Sequence, residues 1–188
     1  MPRMDWGRLL SEKRLGQGSQ SGSSNSRSAF ESDVDRIVFS GSFRRLAQKT
    51  QVHPLVANDH VHNRLTHSLE VSRVGATLGK NVAIKISKEL PNGILPHDLA
   101  MITKAACLAH DIGNPPFGHA GEEAIFDWFD YEERIKGFKI DPQFKYDLQH
   151  YEGNAQGFRV ISQIENNTFR GGLQLTCATL GAFLKYPG

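Results

Sequence analysis

The chain has 188 residues, of which 39% are hydrophobic, and its formal net charge is +2. This length is enough for one domain with a sizeable core. The small net charge gives no argument by itself for a nucleic-acid partner. The charges are unevenly placed, because residues 1–50 carry nine Lys or Arg against five Asp or Glu, whereas residues 120–152 carry four against nine. The first part of the chain therefore favours anions.

The cysteine content and the apolar runs restrict the cellular context. Only two cysteines occur, Cys107 and Cys177, and no CxxC spacing is present, which excludes a disulfide framework and a thiolate metal site. No run approaches the length of a membrane span, and the N-terminus lacks the hydrophobic region of a signal peptide. The sequence therefore predicts a cytoplasmic protein that neither spans nor crosses a membrane.

The first part of the chain contains a segment rich in Gly and Ser at residues 16–28. This segment has almost nothing to bury and is predicted to be a flexible loop. We therefore divide the chain into a flexible N-terminal segment, residues 1–29, and a helical domain, residues 30–188. Three basic residues of the helix after the loop could bind polyphosphate or nucleic acid, but a charge run is usually a solvated face, so they are left unassigned: Arg44, Arg45 and Lys49.

Apolar residues recur at helical spacing through the rest of the chain, and no alternation typical of strands occurs, which predicts an all-α fold. Asp98 is expected to cap the helix that follows Pro96, and the stretch 113–118 is expected to be a loop. Four residues are assigned to the core: Cys107, Phe126, Trp128 and Phe129. The predicted helices cover 32–49 (one or two short helices), 66–90, 98–111, 121–129, 147–164 and 173–184.

An adjacent His and Asp, His110 and Asp111, end one predicted helix and precede the Gly- and Pro-rich turn. Packing does not readily account for such a pair, whereas imidazole nitrogen and carboxylate oxygen suit Mn, Fe, Mg or Zn. His67 begins the long predicted helix, so packing of the two helices would bring it close as a third ligand. The residues alone leave a second interpretation open, in which these are ordinary capping or core-edge histidines.

The stretch 110–122 reads HDIGNPPFGHAGE and is similar to a motif of bacterial deoxyguanosinetriphosphate triphosphohydrolases, which belong to the HD superfamily. Four further blocks resemble the same family in the same order. The resemblance covers roughly residues 30–165. It implies an all-α HD-domain helical bundle that forms the N-terminal portion of a larger helical enzyme. The further blocks are residues 39–46, 49–52, 63–70 and 152–156.

The resemblance implies a divalent metal ion of the Mn, Mg or Fe type as the cofactor. Three of its four ligands match residues of this chain: His67, His110 and Asp111. The fourth ligand of the family, an Asp on a helix well downstream, has no counterpart. We therefore expect the domain to be truncated at its C-terminus and the activity of this chain alone to be weak or lost. Four aspartates lie in the wrong blocks to replace the missing ligand: Asp127, Asp130, Asp141 and Asp147.

The resemblance also assigns residues to the substrate. It places Gln51 and Arg64 at the nucleotide. Arg64 stands three residues before His67, so its guanidinium could bind a phosphate in the same cleft; a solvated surface arginine is the alternative. His150, which precedes the block 152–156, is a further candidate for substrate contact.

Two residues after the turn are assigned to catalysis. The resemblance makes His119 the general acid/base that moves protons at the attacking water or the leaving oxygen, a task for which imidazole is suited. Glu122 lies three residues later on the same helical face and would orient the imidazole. The alternative for Glu122 is that acidic residues favour helix N-termini.

The function implied is metal-dependent hydrolysis of a deoxynucleoside triphosphate (dNTP) to deoxynucleoside and triphosphate. The partners expected are the dNTP substrate, single-stranded nucleic acid as a regulator, and further copies of the chain in a homo-oligomer. Two alternatives stay open. One is an HD phosphohydrolase for nucleoside monophosphates or signalling nucleotides, and the other is a catalytically silent nucleic-acid-binding module that uses the basic helix near Arg44.

Overall fold

The described part of the chain is helical, without a strand. The structure, a computed structural model, describes residues 5–17, 27–49, 62–131, 136–137, 139–168 and 170–185. Its helices are α1 (Trp6–Leu9), α2 (Ala29–Val38), α3 (Gly41–Arg45), α4 (Arg64–Lys85), α5 (Pro96–Ala109), α6 (His119–Asp130), α7 (Pro142–Gln149), α8 (Gly153–Arg159) and α9 (Cys177–Phe183). A 3₁₀ turn follows α3 and a π-helical turn follows α8. None of the described helices is long and apolar enough to cross a membrane.

Helices α4 and α5 form a closely packed antiparallel pair. A Cβ added at Gly75 would lie 2.5 Å from Cys107 Sγ, and one added at Gly79 would lie 2.3 Å from Thr103 Oγ1. The Thr103 hydroxyl is 3.0 Å from the Gly75 carbonyl oxygen. Since the earlier glycine of α4 meets the later residue of α5, the start of α4 lies beside the end of α5.

The buried apolar residues form two clusters, one around each half of α5. The larger cluster combines α2, α3 and the C-terminal half of α5 with residues near the end of the chain. It includes Ile112, which directly follows the predicted ligand pair of His110 and Asp111. The second cluster surrounds the N-terminal half of α5. Its buried members are Leu10, Phe30, Ala83, Leu99, Ile102 and Ala178.

A buried ion pair attaches the N-terminal segment to the helices. Arg14 Nη1 lies 2.6 Å from Asp33 Oδ1, and both side chains are buried. Arg14 also donates to the carbonyl oxygens of Ala29 and Gln174, each at 2.8 Å. Asp33 Oδ2 accepts from the backbone amide and the hydroxyl of Thr176 at 3.0 and 2.6 Å. The pair thus joins α2, the N-terminal segment and the start of α9.

The predicted flexible segment, residues 1–29, is described only in part. Residues 1–4 and 18–26, which include most of the Gly- and Ser-rich stretch, lie outside the described residues. Between them, Leu10 is buried and Arg14 forms the ion pair above. Residues 5–17 therefore have defined contacts with the helical domain.

Most predicted helices occur, but the prediction of one helix over residues 147–164 is wrong. The chain forms α7 and α8 there, with a break at residues 150–152. Asp141 starts α7 because its carboxylate accepts from the amide of Gln143 at 2.9 Å. Glu152 starts α8 in the same way, by accepting from the amide of Ala155 at 2.7 Å. Each helix therefore has its own cap.

The predicted cap of α5 also needs correction. Pro96 is the first residue of the helix, which is a favoured position for proline. Asp98 is consequently the third residue rather than the cap, and its carboxylate accepts from the backbone amide of Leu95 at 2.8 Å. The carboxylate stabilises the start of the helix from inside its first turn.

Two residues assigned to the core are exposed. Phe126 and Trp128 have relative accessibilities of 42% and 43%, whereas Phe129 and Cys107 are half-buried. Helix α6 packs against α7 and contains no fully buried residue. The described residues therefore leave part of the apolar surface of α6 exposed, including Phe126 and Trp128.

We predict that Asp33→Asn lowers the free energy of unfolding by about 3 kcal/mol or more, because Arg14 would remain buried without its counter-charge. The matched control is Asp35→Asn. It removes the exposed pair of Arg27 and Asp35, which has the same N–O distance of 2.6 Å, and should cost less than about 1 kcal/mol. Urea unfolding followed by circular dichroism measures both values. Equal losses in the two variants would contradict this account of the buried pair.

Candidate metal centre

Three predicted ligands converge where the start of α4 meets the end of α5. His67, His110 and Asp111 offer ligand atoms that all lie within 4.8 Å of one another. The two imidazole rings have centroids 5.3 Å apart and are inclined at 67°. His110 Nε2 lies 3.4 Å from Asp111 Oδ1. Ligand atoms that share one ion through bonds of about 2.1 Å lie within roughly 4.2 Å of one another, so the separations in this group are close to those that a shared ion requires.

The hydrogen bond of His110 fixes which nitrogen is available. His110 Nδ1 lies 2.7 Å from the carbonyl oxygen of Cys107. A carbonyl oxygen only accepts, so Nδ1 carries the proton and donates. In the neutral ring the lone pair is then on Nε2, the atom that faces Asp111. A histidine whose second nitrogen donates to a carbonyl is the usual arrangement of a metal ligand.

Asp111 is a buried carboxylate that is only partly satisfied by the protein. Its Oδ1 accepts from Asn114 Nδ2 at 2.5 Å. Its Oδ2 lies 3.0 Å from Arg64 Nη1, which makes an ion pair, but the orientation is not that of a hydrogen bond, and no described residue forms a hydrogen bond with Oδ2. Buried polar atoms in proteins are normally paired. The unpaired oxygen and the nitrogen–oxygen donor set therefore fit a divalent cation.

His119 and Glu122 form a hydrogen-bonded pair at the start of α6. His119 Nδ1 lies 2.7 Å from Glu122 Oε2, so the ring donates from Nδ1 to the carboxylate. The second oxygen, Glu122 Oε1, accepts from the backbone amide of Gly153 at 2.8 Å. Glu122 is thus held between α6 and α8, whereas the imidazole of His119 is almost fully exposed. The pair presents an oriented ring to solvent.

Close backbone approaches bring the pair of His119 and Glu122 to the same region as the three potential metal ligands His67, His110 and Asp111, which we call the trio. A Cβ added at Gly118, whose φ is +57°, would lie 2.6 Å from Arg64 Nη2, so the start of α6 rests on the guanidinium that contacts Asp111. A Cβ added at Gly113 would lie 2.1 Å from the carbonyl oxygen of Gly153. Helix α8 consequently packs directly on the turn that follows the trio.

The three residues assigned to the substrate have different positions. Gln51 lies outside the described residues. Arg64 is buried rather than solvated, and its Nε atom has no hydrogen-bond partner in the described part of the chain. His150 ends α7, where it stacks on Tyr146 with a ring-centroid distance of 3.9 Å and lines a separate cleft of about 570 Å³. The substrate roles of all three stay predictions.

Sequence reasoning missed several residues that support the site. Asn114, Lys49 and Tyr151 all bond to Asp111 or to the turn after it. Asn114 carried a signal, since a polar side chain three residues after a helix-end carboxylate is well placed to reach it. Lys49 and Tyr151 are distant in sequence and carried none.

One known protein family matches more than half of this chain. The family described as HD domain matches residues 64–181, a stretch that contains the trio and the pair of His119 and Glu122. The chain belongs to the HD-domain family. The HD domain predicted from the blocks of sequence is thereby confirmed, together with its all-α fold.

Curated relatives align with most of this chain. A deoxyguanosinetriphosphate triphosphohydrolase-like protein of Pseudomonas aeruginosa is 54% identical over 98% of this chain and 42% of its own length. A protein of the same description from Synechocystis is 51% identical over 98% of this chain and 43% of its own length. The deoxyguanosinetriphosphate triphosphohydrolase of Yersinia enterocolitica is 38% identical over 84% and 36%. The chain thus spans about two fifths of the length of these relatives.

We predict that His67→Ala weakens Mn²⁺ binding by at least about tenfold, because loss of even a supporting residue commonly costs 10- to 100-fold. The free Mn²⁺ signal in electron paramagnetic resonance measures the affinity. His62→Ala is the matched control, since His62 lies just before α4 but is exposed and faces Glu70 at 3.7 Å. Equal affinities in the two variants would show that the trio does not hold the ion.

Proposed function

We propose that this HD domain is part of an enzyme that hydrolyses a dNTP to deoxynucleoside and triphosphate, with a divalent metal ion as cofactor. The observation that carries the proposal is the shared location of three potential metal ligands, a buried arginine and an oriented His–Glu pair. The triphosphohydrolase names of the relatives from Pseudomonas aeruginosa and Yersinia enterocolitica support the choice of a nucleoside triphosphate.

In this proposal His67, His110 and Asp111 hold the ion. A divalent ion supplies charge that polarises a phosphoryl group and lowers the pKa of a water molecule. The protein orients the ligands for it, since the carbonyl oxygen of Cys107 fixes the tautomer of His110 and Asn114 fixes one oxygen of Asp111.

Arg64 binds the phosphate chain in this proposal. Its guanidinium is buried, one terminal nitrogen faces Asp111 at 3.0 Å, and Nε has no hydrogen-bond partner among the described residues. A guanidinium offers several donors in a fixed plane, which suits phosphate oxygens. Substrate would therefore satisfy a donor that the described residues leave unpaired. Gln51 and His150 are proposed as further contacts to the nucleotide.

His119 moves the proton in this proposal. Its Nδ1 is occupied by Glu122, so Nε2 is the atom that exchanges a proton with the attacking water or the leaving oxygen. The Glu122 carboxylate stabilises the ring when it carries a positive charge, and the amide of Gly153 keeps that carboxylate in place. Single-stranded nucleic acid as a regulator and assembly into a homo-oligomer stay predictions from the resemblance.

A chimera tests the reaction. It joins this chain to the parts of the Pseudomonas aeruginosa relative that the alignment does not cover. We expect it to release triphosphate and deoxynucleoside from a dNTP in the presence of Mn²⁺, as measured by ion-exchange chromatography of the products. Release of orthophosphate or pyrophosphate instead, or a folded chimera that binds Mn²⁺ and leaves every dNTP intact, would contradict the proposal.

We predict that His119→Ala lowers kcat of the chimera by about 10²- to 10⁴-fold, the usual contribution of a general acid/base, without changing its metal content. His97→Ala is the control, since His97 is an exposed histidine that pairs with Glu31 at 2.9 Å. Elemental analysis and turnover are measured on the same samples. Loss of metal in His119→Ala would make His119 a ligand, and full turnover would remove it from the reaction.

A further inference from the structure

Three consecutive carbonyl oxygens after Asp111 are held by side chains from distant parts of the chain. Lys49 Nζ donates to the carbonyl oxygen of Asn114 at 2.7 Å and lies 3.4 Å from that of Ile112. The hydroxyl of Tyr151 donates to the carbonyl oxygen of Gly113 at 3.2 Å. The turn that immediately follows the ligand pair is therefore bonded on both sides, and Asn114 in that turn bonds directly to Asp111.

Lys49 also contacts the other helix of the site. Its backbone carbonyl oxygen accepts from the amide of Arg64 at 3.1 Å. Arg64 is the first residue of α4 and stands one turn before His67. One residue thus bonds through its backbone to the helix that carries His67, and through its side chain to the turn that orients Asp111.

The surroundings of Lys49 agree with a bridging position. The side chain is half-buried, and this burial, followed by the nearby Arg64 and Arg45, lowers the pKa of its ammonium group. The ammonium has two carbonyl acceptors within 3.4 Å in place of water. A solvated lysine on a helix face, as the sequence suggested, would have neither contact. Lys49 follows the 3₁₀ turn and points inward.

We propose that Lys49 is a positioning residue that sets the orientation of the Asp111 carboxylate and its spacing from His67. The inference rests on the proposed metal site and adds a residue that does not itself bind the ion. Its effect passes through two bonds: Lys49 holds the carbonyl oxygen of Asn114, and the Asn114 amide group holds Asp111. Loss of the lysine would let the turn shift and Asp111 rotate.

The test uses Co²⁺ binding to the 188-residue chain, because the visible absorption of Co²⁺ reports its ligands and their geometry. We expect Lys49→Met to weaken Co²⁺ binding roughly tenfold, as is usual for residues that support ligands, and to change the absorption bands. Lys49→Arg, which keeps a cationic donor, should restore most of the affinity. Tyr151→Phe removes only the bond to Gly113 and should give a smaller change in the same direction.

Asp33→Asn provides the reference for a purely structural effect. It disrupts a buried pair whose hydrogen bonds in the described residues go to Ala29, Gln174 and Thr176, so it should lower stability without changing the bands of bound Co²⁺. Wild-type affinity and bands in Lys49→Met would overturn the inference. If Lys49→Met fails to fold, Lys49→Gln takes its place, and wild-type Co²⁺ affinity and bands in Lys49→Gln would overturn the inference.

The same titrations separate this inference from the proposed metal site. If His67→Ala binds Co²⁺ as tightly as wild type, the metal site itself is wrong. If His67→Ala abolishes the bands and Lys49→Met does not alter them, only the role of Lys49 is wrong. A change of KM in a Lys49→Met chimera, with Co²⁺ affinity and bands unaltered, would make Lys49 a substrate contact and also overturn the positioning role.

Discussion

Helices α4 and α5 approach each other so closely that a methyl group at Gly75 or Gly79 would overlap a side chain of α5. This contact determines where the ends of the two helices meet. His67 lies in the first turn of α4, and His110 with Asp111 follows the last turn of α5. The convergence of the three potential ligands depends on this antiparallel packing, since neither helix alone contains the whole set.

A second layer of contacts holds the side chains at that meeting point. The backbone of α8 packs against the turn after Asp111 at positions where only glycine fits, namely Gly113 and Gly153. The amide of Gly153 also bonds to Glu122, which in turn bonds to His119. One helix therefore supports both the turn next to Asp111 and the hydrogen-bonded pair of His119 and Glu122. This arrangement links the packing of α8 to the proposed chemistry.

Features that depend on residues nearby in the sequence were predicted correctly. The periodic run of α4, the loop at 113–118 and the pairing of His119 with Glu122 one turn later all depend on neighbours within a few residues. The all-α fold and the HD-domain family were predicted from the sequence and confirmed. Gln51 lies outside the described residues, and its contact with the nucleotide stays a prediction.

Contacts between distant residues account for what the sequence did not reveal. Nothing near Lys49 indicates that it bonds to Asn114, which is 65 positions later. The start of α3 is similar, because the amide of Gly41 donates to Glu165 Oε1 at 2.7 Å across the fold. The break between α7 and α8 was missed since Glu152 was read within a continuous apolar pattern rather than as a cap. Phe126 and Trp128 were assigned to the core because they are apolar, but they are exposed, since burial depends on which elements pack against α6.

The proposed chemistry depends on His67, His110 and Asp111 holding one divalent ion. Anomalous diffraction from crystals of this chain soaked with Mn²⁺ would locate that ion. We expect one strong anomalous peak within bonding distance of His110 Nε2, an Asp111 carboxylate oxygen and a nitrogen of His67. A peak at other residues, or none at the trio at a Mn²⁺ concentration that saturates binding in solution, would contradict this expectation.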